Sequence, residues 1–298
     1  MADRLNYMLS PLGLFLLLPL LAQAAPLHTQ ASAATPAPAL TPGEAQALVS
    51  RALGAELRSA QDPGHPMRYR LRKSSPRLTS TKEIYETHDG FVARLVAIND
   101  RPLSPAEEQK EEARLDALAS DPSLQRHRKQ SEDADTGRAM KILRALPQAF
   151  LYQFAGTAAG PGGKVVKFTF RPDPRFDPPD LETQALTTMT GELWIDAAQE
   201  RVVRLEGHLQ RDVDFGWGIL GRLNKGGWMV IEQADVGGRQ WRTVRFQMVM
   251  NARVLLKTKS FDTTEEQTQF APLPVGLGYR QAIQTLRGSA TASAPGIR

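Results

Sequence analysis

Pairs and clusters of carboxylates come closest to a catalytic or metal-binding pattern in this sequence. Asp212 and Asp214 share one face of a predicted strand, as a carboxylate-dependent hydrolase would require in a cleft. Asp173, Asp177 and Asp180 cluster in a proline-rich loop and offer oxygen atoms of the kind that calcium prefers. The pair has no third catalytic element, and the loop has no glycine turn with calcium-loop spacing. Hydrolysis is therefore a remote alternative, and we predict no metal site.

Other catalytic signatures are missing from the sequence. The five histidines (His28, His65, His88, His127 and His208) are scattered without a partner at ligand spacing. There is no His-Glu-x-x-His, no Gly-x-Ser-x-Gly, no phosphate loop and no dinucleotide fingerprint. The chain has no cysteine, which excludes disulfides, thiolate metal sites and thiol catalysis. We therefore predict no catalytic residues, no cofactor and no enzyme activity.

Three arginines form the one basic pattern of note. Arg68, Arg70 and Arg72 share a face of the first predicted strand, which suits an anion-binding patch. The favoured interpretation is a solvent-exposed face whose charge is balanced by Glu83 or Glu86 on the neighbouring strand.

The N-terminus predicts export. The first 24 residues read as a secretory signal peptide, with Arg4 in a positive region, a leucine-rich stretch over 12–21, and a small-x-small site at 22–24. The apolar run has about half of the roughly 20 residues that a membrane span needs, although an uncleaved anchor stays an alternative. We expect a periplasmic protein of a Gram-negative envelope. The net charge of +5 then favours peripheral contact with an anionic membrane surface, not nucleic acid.

The rest of the 298 residues predict one α+β domain. A flexible leader over 25–41 precedes a single domain over 42–287, with a helical insertion at 104–146 and a disordered tail over 288–298. Capping boxes at Thr41-x-x-Glu44 and Ser104-x-x-Glu107 predict two helix starts.

The segment 149–270 is almost entirely β in pattern. Val166, Phe168 and Phe170 alternate with polar residues, which is typical of a half-buried antiparallel strand. Successive strands without intervening helices predict a strongly curved antiparallel sheet, an unclosed β-barrel whose concave face is covered by the N-terminal helix and the insertion. The stretch 214–228 concentrates glycine, tryptophan and leucine. It predicts a lip over a hydrophobic cavity, a membrane or partner contact, or a plug at one end of the sheet.

Several runs carry a family resemblance. Gly191-Glu192-Leu193-Trp194-Ile195-Asp196, a short turn, and Arg201-Val202-Val203-Arg204-Leu205-Glu206 resemble the middle hairpin of outer-membrane lipoprotein-sorting proteins, the superfamily of LolA/LolB carriers and RseB-type envelope stress regulators. The runs at 99–104, 146–150 and 215–221 look like an Acidobacteria-type family of exported bacterial proteins, over roughly residues 45–287. In two respects the chain departs from the carriers: it lacks a lipidated cysteine, and the insertion at 104–146 is longer.

The resemblance implies a LolA-like half-barrel around an apolar cavity. Our leading hypothesis is a non-catalytic periplasmic binding or carrier protein for a lipid, an acyl chain or a lipoprotein. An envelope protein–protein interaction or stress-sensing module is the alternative. The expected ligand-binding residues are the in-phase apolar positions of the strands, with two tryptophans at a rim, unless they simply form core. They are Phe168, Phe170, Leu193, Ile195, Val244, Phe246 and Met248, with Trp217 and Trp228 at the rim.

Overall fold

The computed structural model describes residues 40–215, 221–254 and 257–292. The predicted signal peptide, nearly all of the leader, the end of the tail, and Trp217 lie outside the described residues. Within them the fold is α+β, with thirteen strands in one antiparallel sheet and five α-helices.

The helices are α1 (Pro42–Ala60), α2 (Pro105–Ser120), α3 (Pro122–Ala149), α4 (Leu181–Gln184) and α5 (Tyr279–Ala292). The strands are β1 (Met67–Ser74), β2 (Thr79–Tyr85), β3 (Val92–Ile98), β4 (Arg101–Pro102), β5 (Phe150–Gly160), β6 (Gly163–Pro172), β7 (Met189–Asp196), β8 (Val202–Leu209), β9 (Val213–Phe215), β10 (Gly221–Leu223), β11 (Trp228–Asp235), β12 (Trp241–Val254) and β13 (Lys257–Pro272).

The sheet is not closed. Its strand order is β4-β3-β2-β1-β13-β12-β11-β8-β7-β6-β5, so β4 and β5 are the two ends. Most neighbours are joined by hairpins, but β1 pairs with β13, which brings the first and last strands together. The short β9–β10 hairpin extends from β12.

Helix α1 covers one face of the sheet, which we call the inner face. Its start is fixed by the predicted capping box, in which Glu44 accepts the Thr41 N–H at 2.8 Å and Thr41 Oγ1 accepts the Glu44 N–H at 3.3 Å. Val49 and Leu53 are buried against Phe168 and other side chains of the main core. The inner face of β5–β8 is therefore filled by the helix that the sequence predicted to cover it.

Helix α3 connects the two ends of the sheet. Near its start, Gln125 Nε2 donates to the Asp89 carbonyl at 2.7 Å, beside β3. Its C-terminal end packs Leu146 and Ala149 into the core beneath α1, beside β5. Between these anchors, residues 133–139 are all exposed, nearly two turns of helix. The middle of α3 is therefore packed against neither end of the sheet.

Helices α2 and α5 pack on the opposite, outer face. Leu115 of α2 and Ile283 of α5 are buried against Tyr85 and Val92, which belong to the outer face of β2 and β3. This part of the predicted insertion therefore does not lie over the inner face, which leaves that side of β1–β3 without these two helices.

Side chains of α2 and α3 occupy the free edge of β3. Glu111 accepts the Leu95 N–H at 2.8 Å, and Glu132 accepts the Phe91 N–H at 2.9 Å. Arg114 donates to the Ala93 carbonyl at 2.5 Å. An unpaired strand edge would otherwise be a template for another chain, so these bonds protect the edge.

Candidate functional site

One lateral row of apolar side chains runs along the inner face from β5 to β12. Residues directly opposite each other in neighbouring antiparallel strands point to the same face. The row contains Phe154, Phe168, Leu193, Leu205, Ile231 and Phe246. Five strand spacings make the row about 24 Å long, measured along the sheet.

The row has a covered half and an open half. Phe168 and Leu193 are fully buried, and α1 contacts β5 and β8 above this part of the sheet. Leu205, Ile231 and Phe246 are only half-buried. The side chains at this end are apolar but not fully removed from water, as expected of a surface that can accept a further apolar group. We call Leu205, Met229, Ile231, Phe246 and Met248 the open half.

A second row beside it depends on two glycines. Gly191 and Gly207 lie opposite each other on β7 and β8 and are followed by Met229 on β11 and Met248 on β12. A Cβ atom on Gly191 would overlap the Glu206 carbonyl group. The glycines therefore leave room for the side chains of Phe170 and Met189, which lie where the Cβ atoms would stand.

The predicted ligand-binding residues separate into groups. Phe168, Phe170, Leu193 and Ile195 all lie in the main core. Phe246 and Met248 belong to the open half, and Val244 is half-buried beside a β-bulge between β11 and β12.

Trp228 lies elsewhere. It is opposite His208, so it points to the outer face and does not share a surface with Phe246. Of the residues the sequence singled out, Phe246 and Met248 are thus brought together on an accessible apolar surface.

Beyond the open half, the same row continues with charged side chains on β13 and β1. Phe246 lies opposite Glu265 on β13, and Glu265 lies opposite Lys73 on β1. Lys73 Nζ donates to Glu265 Oε1 at 2.5 Å. The apolar row therefore ends at an ion pair.

Lys82 on β2 lies on the same face, two residues along the strand from Ser80, which lies opposite Lys73. It is opposite Leu71, and Leu71 is opposite Gln267. Burial lowers the pKa of Lys82, and the positive charges of Arg114, Arg128 and Lys73 lower it further, against a smaller opposing effect of Glu111. Sequence reasoning missed this lysine because a charged residue in a strand normally indicates a solvent face. Its phase with Ile84, which is buried, was the available signal.

A separate cleft lies at the β5 end of the sheet. It has a volume of about 1790 Å³ and is bounded by the start of α1, the end of α3, β5, β6 and the loop 173–180. Phe154 and Phe176 line it together with Arg144 and Arg171. It opens to solvent beside the covered half and does not include the open half.

The predicted acidic clusters have structural partners. Arg222 Nε donates to Asp214 at 2.6 Å, and its Nη1 donates to Asp212 at 3.2 Å, so one guanidinium holds both carboxylates. Asp173 accepts hydrogen bonds from Arg175, which lower the pKa of its carboxyl group to about 2. Over residues 40–215, 221–254 and 257–292, no three His, Asp or Glu side chains are grouped to hold a metal ion.

The predicted charge balance of the arginine face is found at Arg70, which pairs with Glu83, whereas Arg72 pairs with Asp100. Arg70 Nη2 donates to Glu83 Oε1 at 3.0 Å, and Arg72 donates to Asp100 at 2.8 Å. These groups lie on the outer face, away from the open half.

Comparison with known proteins gives distant structural similarities. No protein-family model matches the sequence, and no curated protein matches it either. An outer membrane lipoprotein-sorting protein domain from Vibrio parahaemolyticus aligns at a TM-score of 0.30 and 11% identity, over 80% of this chain and 98% of that one.

MucB in complex with the periplasmic part of MucA aligns at a TM-score of 0.20 and 12% identity, over 77% of this chain and 99% of that one. The MucA/MucB complex from Pseudomonas aeruginosa gives a TM-score of 0.21 and 11% identity, over 77% and 99%. Similarities this low establish no shared function. Within the described part of the chain, no helix is both long and apolar enough to cross a membrane.

Proposed function

We propose that the chain is a non-catalytic binding protein that holds the apolar chain of a lipid-like ligand against the open half. The observation that carries this proposal is the change in burial along a single row, from Leu193 with no exposed surface to the half-buried Ile231 and Phe246. An acyl chain laid along these residues would complete the apolar layer that α1 supplies over the covered half.

The energetics favour such a ligand. Each buried methylene contributes about 0.8 kcal/mol, so burying eight of them would supply about 6 kcal/mol before the cost of immobilising the chain. The surface is wide enough, since three strands from β8 to β12 carry its side chains over about 10 Å.

A periplasmic location is part of the proposal. It rests on the signal-peptide pattern of residues 1–24 and on the resemblance of the 191–206 hairpin to lipoprotein-sorting proteins. Protein exported by cells and recovered from the periplasm should carry non-covalent lipid that native mass spectrometry detects.

The decisive experiment uses 1-dodecanol, a neutral twelve-carbon probe, and matched variants. Ile231→Gln places an amide in the open half, whereas Leu78→Gln makes the same kind of change at a side chain that is 47% exposed and remote from it. Wild type and L78Q should bind the probe equally, and I231Q about tenfold more weakly.

Thermal unfolding of each variant identifies any loss of fold, and Phe246→Ala provides a second, less polar test of the same surface. If wild type does not bind 1-dodecanol, or if I231Q and F246A bind it as wild type does, the proposal is wrong. The envelope protein–protein interaction then becomes the leading alternative.

A further inference from the structure

A lysine without a partner lies beside the proposed ligand surface. Lys82 is half-buried, and no residue in the described part of the chain gives it a hydrogen bond or an ion pair. By contrast, Lys73 on the same face is paired with Glu265. Burying a cation without a partner is costly, so such a group is a candidate for binding an anion.

The charged groups that act on Lys82 have other partners. Arg114, Arg128 and Lys73 all act on it with like charge, and Glu111 is the acidic group that opposes them. The carboxylate of Glu111 already has other partners, since it accepts the Leu95 N–H at 2.8 Å and two hydrogen bonds from Arg114. Arg128 and Lys73 are likewise paired, with Glu132 and Glu265, so these carboxylates already hold other cations and none of them is paired with Lys82.

The position of Lys82 relative to the open half fits an amphipathic ligand. Lys82, Leu71 and Gln267 are side by side on β2, β1 and β13, next to the strand that carries Phe246. Three strand spacings separate β2 from β12, about 14 Å along the sheet. An extended hydrocarbon advances about 1.3 Å per carbon, as follows from a C–C bond of about 1.5 Å. A chain of about twelve carbons can therefore reach from Lys82 across β12.

We propose that Lys82 binds the anionic head group of a single-chain amphiphile, a carboxylate or a phosphate monoester, whose hydrocarbon chain lies on the open half. This inference rests on the proposed function and specifies its ligand class. Residues 133–139 of α3 are all exposed, so this part of the helix is not packed onto the sheet. The ion pair between Lys73 and Glu265 lies beside its path and keeps Lys73 from competing for the head group.

The test compares four probes on the full chain: laurate, dodecyl phosphate, 1-dodecanol and inorganic phosphate. Wild type should bind laurate, dodecyl phosphate or both at least about tenfold more tightly than 1-dodecanol, because a charge-assisted hydrogen bond is added. The two anionic arms distinguish a carboxylate from a phosphate head group. Inorganic phosphate alone should bind weakly or not at all.

Lys82→Met should abolish the preference for the anionic probe and leave 1-dodecanol binding unchanged. Lys82→Arg should keep the preference, and Lys225→Met, at an exposed turn, serves as the matched control. Thermal unfolding checks that K82M folds. If K82M does not fold, the test rests on K82R, which must keep the preference for the anionic probe.

The outcomes separate the two proposals. If wild type shows no preference for the anions, or K82M retains it, the Lys82 inference is overturned while 1-dodecanol binding still supports the proposed function. If inorganic phosphate binds as tightly as dodecyl phosphate, the amphiphile is likewise overturned. If no twelve-carbon probe binds at all, the proposed function itself fails.

Discussion

Ile231 on β11 and Phe246 on β12 lie directly opposite each other on the inner face, both half-buried. On one side, Ile231 continues into Leu205 and the core beneath α1. On the other side, Phe246 meets Glu265 and its partner Lys73. This pair therefore marks where the packed core gives way first to an open apolar surface and then to charge.

The ion pair between Glu56 and Arg201 should be important for stability. Glu56 on α1 is 7% exposed and accepts two hydrogen bonds from Arg201, at 2.8 and 2.9 Å, as well as the Val202 N–H at 3.0 Å. Arg201→Met leaves a buried carboxylate without its cation, so we expect a loss of about 3 kcal/mol in the free energy of unfolding.

Arg51→Met is the matched control for that prediction. Arg51 also connects α1 to the β7–β8 turn, through Glu200, but the pair is exposed to solvent. Its removal should leave the urea unfolding midpoint nearly unchanged. Equal effects of R201M and R51M would contradict the argument from burial.

The glycine pair on β7 and β8 should tolerate no side chain. Gly191→Ala would force a Cβ atom into the Glu206 carbonyl group and Phe170, so we expect a loss of at least about 2 kcal/mol in the free energy of unfolding. Gly137→Ala makes the same change in the exposed middle of α3, where nothing lies within 4 Å. It should stabilise the fold by about 0.5–1 kcal/mol. Chemical denaturation of both variants tests this, and a neutral G191A would contradict it.

Glu86 should make stability depend on pH. Burial raises the pKa of its carboxyl group above the ordinary value of 4.5, against the lowering effects of the Met67 N–H and Arg242. The folded state then keeps this proton to a higher pH than the unfolded chain does, so its contribution to stability falls as pH rises through that interval. Glu86→Gln removes the buried charge and keeps an oxygen that can accept the Met67 N–H.

The variant E86Q should therefore be more stable than wild type at pH 7, with a difference that shrinks as pH falls and disappears below pH 4.5. Glu83→Gln, at the outer-face partner of Arg70, should bring no gain at pH 7. Thermal unfolding from pH 4 to pH 7 measures both. A gain for E86Q that persists at pH 4 would argue against the burial of this charge as its cause.

Local sequence signals predicted the elements well. The capping boxes at Thr41 and Ser104 fix the starts of α1 and α2 as expected, because a cap depends only on residues within one turn. The alternation around Phe168 correctly predicted β6 and its buried face. One boundary differs: the helical insertion predicted to end at residue 146 continues in α3 to Ala149, with Pro147 in its last turn.

Pairing and burial that depend on distant parts of the chain could not be predicted from these local signals. The pairing of β1 with β13 joins residues about 200 positions apart, and nothing local marks it. The division of the apolar row into covered and open halves depends on where α1 lies, so Phe168 and Phe246 have the same sequence pattern but different surroundings. Lys82 was missed for a similar reason, since its burial comes from neighbouring strands and helices.

The most direct test of the account locates a bound chain by methionine methyl NMR. The probe is a twelve-carbon alcohol with a nitroxide on its terminal carbon, added to protein labelled at the methionine methyl groups. Met229 and Met248 lie opposite each other in the open half, and Met140 lies buried on α3. We expect the probe to broaden the Met229 and Met248 signals and to leave Met140 sharp. Broadening of Met140 alone, or binding with sharp Met229 and Met248 signals, would contradict the claim that the open half holds the apolar chain.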